Sequence, residues 1–418
     1  MSQKPFLLLS CIALILLQCQ KNETPSPGGD LVYSSKTLVA KASFQESLID
    51  SSFTSGLFTF SPSAFDKKPI PGQVLLFPGE WMGKVESIQE NSVGEFVIKT
   101  SPATLPDVLK EGTIAWEMTP EWTDITSIQI GSETRNARIR AGYPINFSIS
   151  HQGIDHKITI SPIPSSGKIT SCTFRFEMSK KVNGRATVAI VGEGKATLPE
   201  QQTSISIANS QLKEFTSQNR SMQLEMNVSL TAAGGEPGEH NLILPGIALI
   251  IPLRTLPTPA GPIPNPIPMN LKIGVNFVTQ FNMSHQIAAA SAKSQISVDA
   301  DGGFTYTSGD IQTQGELKKN EVTGGNFDSS APLGIPVDMQ FGIAFPRLSL
   351  DIAGEELAYI HTGATSGTSL SWGPLCKTGY TKVLVEGGYK LQVLGQTLAE
   401  NKVTFAERRR EAKGEGCP

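Results

Sequence analysis

Charge is scarce in this sequence: 17% of its 418 residues are Asp, Glu, Lys or Arg, and 35 basic side chains stand against 38 acidic ones, for a formal charge of −3. A chain so nearly neutral lacks the basic footprint with which proteins grip nucleic acid, so no nucleic-acid partner is expected. Aromatic residues are sparse too, with four Trp and six Tyr. That scarcity argues against the aromatic girdles of a transmembrane β-barrel. It also weakens the case for a polysaccharide hydrolase, although paired carboxylates need no local sequence signature. No GxSxG nucleophile elbow, HExxH zinc helix, P-loop or GxGxxG dinucleotide fingerprint occurs, and no cofactor is expected. No CxxC pair exists to suggest a structural zinc or a dithiol redox centre. The apolar run at 6–17 (FLLLSCIALILL) is too short to span a bilayer comfortably, which takes about 20 residues.

What is present is apolar content of 39%, with 39 Gly and 28 Pro. The apolar share and low net charge exclude wholesale disorder. Frequent turn residues between alternating segments point to strands rather than long helices. The expected fold is therefore mainly β, with antiparallel sheets forming a sandwich or an elongated twisted sheet, preceded by a small mixed α/β module.

The apolar run follows Lys4 and leads into Gln18, Cys19 and a Pro/Gly-rich tether over 19–30. A short basic segment, a short apolar core and a polar tether are the parts of a secretory signal. With Cys19 at the end of the run, Leu16 and Leu17 before it, and Gln18 where a small residue is the rule, the segment resembles a bacterial lipoprotein signal. The resemblance implies cleavage after residue 18 and acylation of Cys19. It further implies export and a bilayer partner reached through the acylated N-terminus at the outer membrane or cell surface. A plain secretory signal or an uncleaved anchor are the alternatives; each takes the chain out of the cytoplasm.

Residues 31–118 read as the small mixed module. Segment 73–77 (QVLLF) is an apolar strand, 82–89 and 93–100 suggest a hairpin, and 104–110 suggests a short helix with Thr104 as its N-cap and Gly112 just past its end. The succession GQVLLFPG, GKVESI, FVIKTSPATLPDVLKEGTI resembles a module near the N-terminus of uncharacterised secreted bacterial proteins. That resemblance implies location and brings no catalytic residue.

Two antiparallel β domains are expected at 138–255 and 269–405, separated by a Pro-rich linker or crossover at 252–268 and followed by a solvated charged tail at 406–418. In the first, Met222, Leu224, Met226, Val228 and Leu230 alternate with polar residues, the mark of a strand with one face buried. Segment 247–253 (IALIIPL) is the exception and reads as buried on both faces. In the second, Met269, Leu271, Ile273, Val275, Phe277, Thr279, Phe281 and Met283 share one face of a single long strand.

Five cysteines are present. Cys11 leaves with the signal, Cys19 carries lipid, and Cys172 sits on an alternating face with Phe174, Phe176 and Met178, as a buried thiol would. Cys376 and Cys417 flank the last segment. They form either a disulfide stapling the tail or two free thiols, and the spacing alone does not decide.

Three further groups are candidate sites. Trp81, Trp116 and Trp122 fall in one region beside Glu80, Glu117 and Glu121, as in a small sugar-binding patch, but packing at a domain junction is the favoured account because Trp is mostly buried. Asp299 and Asp301 precede two glycines like the start of a calcium loop, but the sixth position is Phe304 and the twelfth Asp310, so a hairpin turn fits better. His151 and His156 flank Asp155 with no third ligand nearby, and no metal site is assigned to them. The function expected is that of a non-enzymatic binding or structural module of the cell envelope. Its partner would be an envelope protein, glycan or lipid. A carrier or sensor of an apolar ligand is the first alternative, motivated by the methionine-bearing strand faces. A secreted polysaccharide hydrolase is the second.

Overall fold

The computed structural model describes residues 31–418 except 53–54, 132, 138–142, 152, 183–185, 234–238, 244–245, 258–260, 284–287, 332, 396–399, 415–416 and 418. The signal segment with Cys11 and Cys19, the tether, most of the loop before His240, and His285 lie outside the described residues. The chain is mainly β, built as two large antiparallel sheets and a six-stranded mixed sheet near the N-terminus.

The small sheet runs in the order Thr37–Val39, Val74–Phe77, Trp81–Glu90, Phe96–Ser101, Leu57–Phe60, Leu48–Ser52, with only the first pair parallel. Its own core is aromatic, centred on Phe44, Phe58, Phe60 and Phe77. The short helix of this module is Leu105–Val108, capped by Thr104 and Asp107. It ends two residues earlier than the expected 104–110. Leu109 already begins a strand, and Gly112 lies within that strand at a φ of 142° rather than past the helix end.

The first large sheet is organised on the strand Gln211–Ala233. At about 3.3 Å per residue, its 23 residues run about 75 Å. One edge takes two strands in succession, Glu200–Ala208 and then Ala186–Thr197; the other is covered by Ala289–Thr307, which pairs in turn with Asp310–Ser330. The second sheet repeats this design on Met269–Met283. Ile247–Pro252 and Glu239–Ile243 share one edge, and Val337–Ile352, Glu355–Ser371, Cys376–Lys390 and Glu400–Lys413 extend the other. The alternation of Met269 to Met283 thus corresponds to one strand of 15 residues.

Sheet membership does not follow a division at the Pro-rich stretch. Ala289–Thr307 and Asp310–Ser330 join the sheet of the preceding strands, and Ser127–Ile130 joins the sheet of the following ones. The two sheets share one interior. Phe174 meets Phe345 across it at 4.7 Å between ring centroids, and Phe176 meets Phe277 at 6.4 Å. Residues 252–268 are no free linker, because Leu256, Asn265 and Ile267 are buried and Gly79 of the small module donates its N–H to Pro266. Ile247–Pro252 alternates buried and half-buried positions and is not buried evenly on both faces.

The C-terminal segment is also structured. Glu400–Lys413 is the edge strand of the second sheet, so the charges at 406–413 line a strand edge and do not form a loose tail. Charged edges resist strand-to-strand aggregation. Near its middle, Phe405 crosses to the first sheet, where a Cβ on Gly315 would lie 2.5 Å from its own. The end of this strand is tied back by a disulfide between Cys376 and Cys417. In Cys417→Ser, the amides of 408–413 are expected to exchange at least about tenfold faster while those of Met269–Met283 are unchanged, because only the terminal unit loses its tether. Hydrogen-exchange mass spectrometry checks this; uniform acceleration would mean that the bond supports the whole sandwich.

Candidate ligand clefts

The methionine-bearing faces are filled. Met222, Met226, Met269 and Met339 are buried in the shared core, with Thr362 Oγ1 3.6 Å from Met222 Sδ. These side chains pack against one another and their neighbours in that core. A small cleft of about 360 Å³ lies on the first sheet around Arg220 and Asp301, and two larger ones lie against the small module and the Pro-rich segment.

The larger cleft there encloses about 820 Å³. Its back wall is the turn after Leu109–Met118. Trp122 is fully buried beneath it, donating Nε1–H to the carbonyl of Thr170 at 2.9 Å and its backbone N–H to Ile169. This anchors Glu121 and Asp124 at the rim. Asp124 accepts the backbone N–H of Glu121 at 3.0 Å, and Glu121 accepts that of Ile169 at 3.3 Å. Burial raises the Asp124 carboxyl above its usual range and the Glu121 charge adds to this, against the opposing pull of the Glu121 N–H and of Lys168. Lys168 comes from the loop before Ser171–Val182, and Arg254 from the start of the Pro-rich segment. Neither cation forms an ion pair within 4 Å, although seventeen such pairs occur among the described residues.

A second cleft of about 450 Å³ lies on the other side of the ribbon formed by Thr255–Leu256 and Ile263–Pro264. Tyr33, Ile114, Leu256 and Ile263 make it mostly apolar, and Arg254 also lines it. Thr255 and Pro262 face the first cleft while Leu256 and Ile263 face the second, so the ribbon is a partition with Arg254 at its base.

The three tryptophans do not form a sugar platform. Trp116 and Trp122 are buried in the sandwich core, whereas Trp81 packs in the separate core of the small module, stacked on Phe44 at 5.3 Å. Ring faces spent on packing in two different cores cannot stack on a common sugar. Asp299 and Asp301 lie neither in a calcium loop nor in a hairpin turn. Both are in mid-strand within Ala289–Thr307, and the reversal comes at Ser308 and Gly309. Lys318 occupies Asp301 at 2.6 Å, the Ser221 N–H donates to it at 2.7 Å, and Gln223 donates to Asp299. Burial opposes ionisation of Asp301, but the lysine and the backbone donor outweigh it and hold its carboxyl below the usual range. No cluster of three or more His, Cys, Asp or Glu suited to a metal occurs among the described residues. His156 is buried on the inner face of Ile154–Pro162; the His151 side chain lies outside the described residues. Cys172 is a buried free thiol whose pKa burial pushes well above its usual value.

Sequence reasoning passed over Lys168 and Arg254. One signal was available: Arg254 is the only charged residue in the Pro-rich stretch 252–268. The chain matches no protein-family model, no curated protein and no solved structure.

Proposed function

We propose that this chain is an exported cell-envelope lipoprotein, acylated at Cys19, that acts as a non-enzymatic binding module on the outer membrane or cell surface. The observation that carries the reading is the short apolar run ending at Cys19 and followed by the tether over 19–30. The Cys376–Cys417 disulfide supports it, since such bonds persist outside the reducing cytosol. Two or more acyl chains would hold the protein stably where one would not. A carrier or sensor of an apolar ligand is the second reading, favoured by the apolar cleft beside Arg254.

Metabolic labelling with palmitate tests the anchor. The full chain is expected to incorporate label, Cys19→Ala to lose it completely, and Cys11→Ala to keep it. Label surviving in Cys19→Ala, or absent from the parent chain, overturns acylation at this residue.

A further inference from the structure

We propose that the paired clefts bind one anionic amphiphile, its acidic head held by Arg254 and Lys168 and its hydrocarbon tail lying along Tyr33 and Ile263. This deepens the carrier reading and rests on it. The two cations line one concave surface and have no ion-pair partner within 4 Å among the described residues, so an incoming carboxylate or phosphate displaces none of their carboxylates. Guanidinium is the better suited of the two, because its planar fork grips an oxyanion with two parallel N–H donors.

The carboxylates at the rim do not defeat this. Glu121 and Asp124 each accept a backbone N–H of the wall, which satisfies part of their charge away from the ligand. Arg254 also lines the neighbouring apolar cleft, whose Leu256 and Ile263 lie across the ribbon from Thr255 and Pro262. A molecule held at Arg254 by its head therefore has apolar surface beside it on one side only. A purely polar anion would leave that surface unused, and a neutral alkyl chain would leave the cations unused. Each methylene of a tail removed from water against that surface adds to binding.

Native mass spectrometry of the full chain, released from a non-ionic detergent, is the test. The probes are dodecyl phosphate, dodecanoate, dodecyl glucoside and inorganic phosphate at equal concentration. One equivalent of dodecyl phosphate or dodecanoate is expected to remain bound, with the glucoside and inorganic phosphate at least about tenfold weaker, one charge-assisted contact corresponding to a factor of that order. Preference for dodecyl phosphate over dodecanoate would indicate a phospholipid-type head, and the reverse a free fatty acid. Arg254→Gln should reduce adduct at least about tenfold, whereas the same change at the exposed Arg409, on the edge strand Glu400–Lys413 and lining neither cleft, should not. Arg254 is exposed, so the variant is expected to fold, and circular dichroism verifies that. Equal binding of the glucoside, equal binding of inorganic phosphate, or indifference to Arg254→Gln each overturns the proposal. Palmitate labelling at Cys19 is independent of this outcome, so the anchor and the ligand fail separately.

Discussion

Truncating Phe174 to alanine is expected to cost about 3–5 kcal/mol of stability, the range for deleting a buried aromatic side chain. The ring lies on the inner face of Ser171–Val182, stacked on Phe176 at 4.9 Å and edge-on to Phe345 at 4.7 Å across the sandwich. Its strand neighbours explain why the loss would be large. Phe174 pairs with Gly194, and Phe176 with Gly192, so each ring lies beside a position with no side chain to fill the gap. Gly194 cannot readily grow to compensate, since a Cβ there would lie 1.9 Å from the carbonyl oxygen of Glu225. The cavity left by Phe174→Ala would persist. Urea unfolding of parent and variant measures the difference; a change below about 1 kcal/mol would mean that the face is not a packed core.

That face was legible in the sequence because local alternation and long-range packing agree there. The same holds for Met269 to Phe277, where the period of two needs no knowledge of the partner strand. Elsewhere a tertiary contact sets the residue type and local composition misleads. Asp299, Asp301, Gly302 and Gly303 have the composition of a turn. Yet Gly302 is mid-strand, where Phe405 from the second sheet approaches within 3.3 Å of where a Cβ would sit. Likewise the arginines at 408–410 have the composition of a solvated tail and lie on an edge strand. The Pro-rich stretch looked like a boundary because proline cannot serve in a central strand. It is nonetheless packed, through Leu256 and Ile267, against a core to which both halves of the chain contribute. The clefts were the least legible feature. They depend on Lys168 and Arg254, 86 residues apart in sequence, lining one cleft, and nothing in either neighbourhood encodes that.

Acid should weaken the sandwich through His361 before its carboxylates are generally protonated. His361 is half-buried on the outer face of Glu355–Ser371, with its side chain 13% exposed, in a row with Arg347 and Glu386 on the adjacent strands, and its Nδ1 has no hydrogen-bond partner among the described residues. Its ring stacks on Tyr359 at 5.9 Å, and the Arg347 guanidinium lies over the same tyrosine at 4.0 Å. Glu386 is the anion nearest to the imidazole, at 3.7 Å, but it is paired with Lys402 at 2.7 Å; Glu356 is held in a two-point contact with Arg347. Burial, followed by the positive charges of Arg347 and Lys402, lowers the His361 pKa from 6.5 to about 4. Because the folded value lies below the unfolded one, the unfolded chain binds the extra proton. Stability is therefore intact above pH 6.5 and falls as the pH drops from there through about 4. At about 1.4 kcal/mol per tenfold difference in proton affinity, the loss is about 3 kcal/mol. Asp351, a neighbour paired with Lys272, has the opposite sign. Burial raises its pKa, so its contribution grows more favourable as the pH falls. A comparison with His361→Gln removes that background, which both chains share. The stability of the parent relative to the variant should decline by about 3 kcal/mol between pH 7 and pH 4, while parallel pH profiles would mean that His361 titrates normally and is open to water.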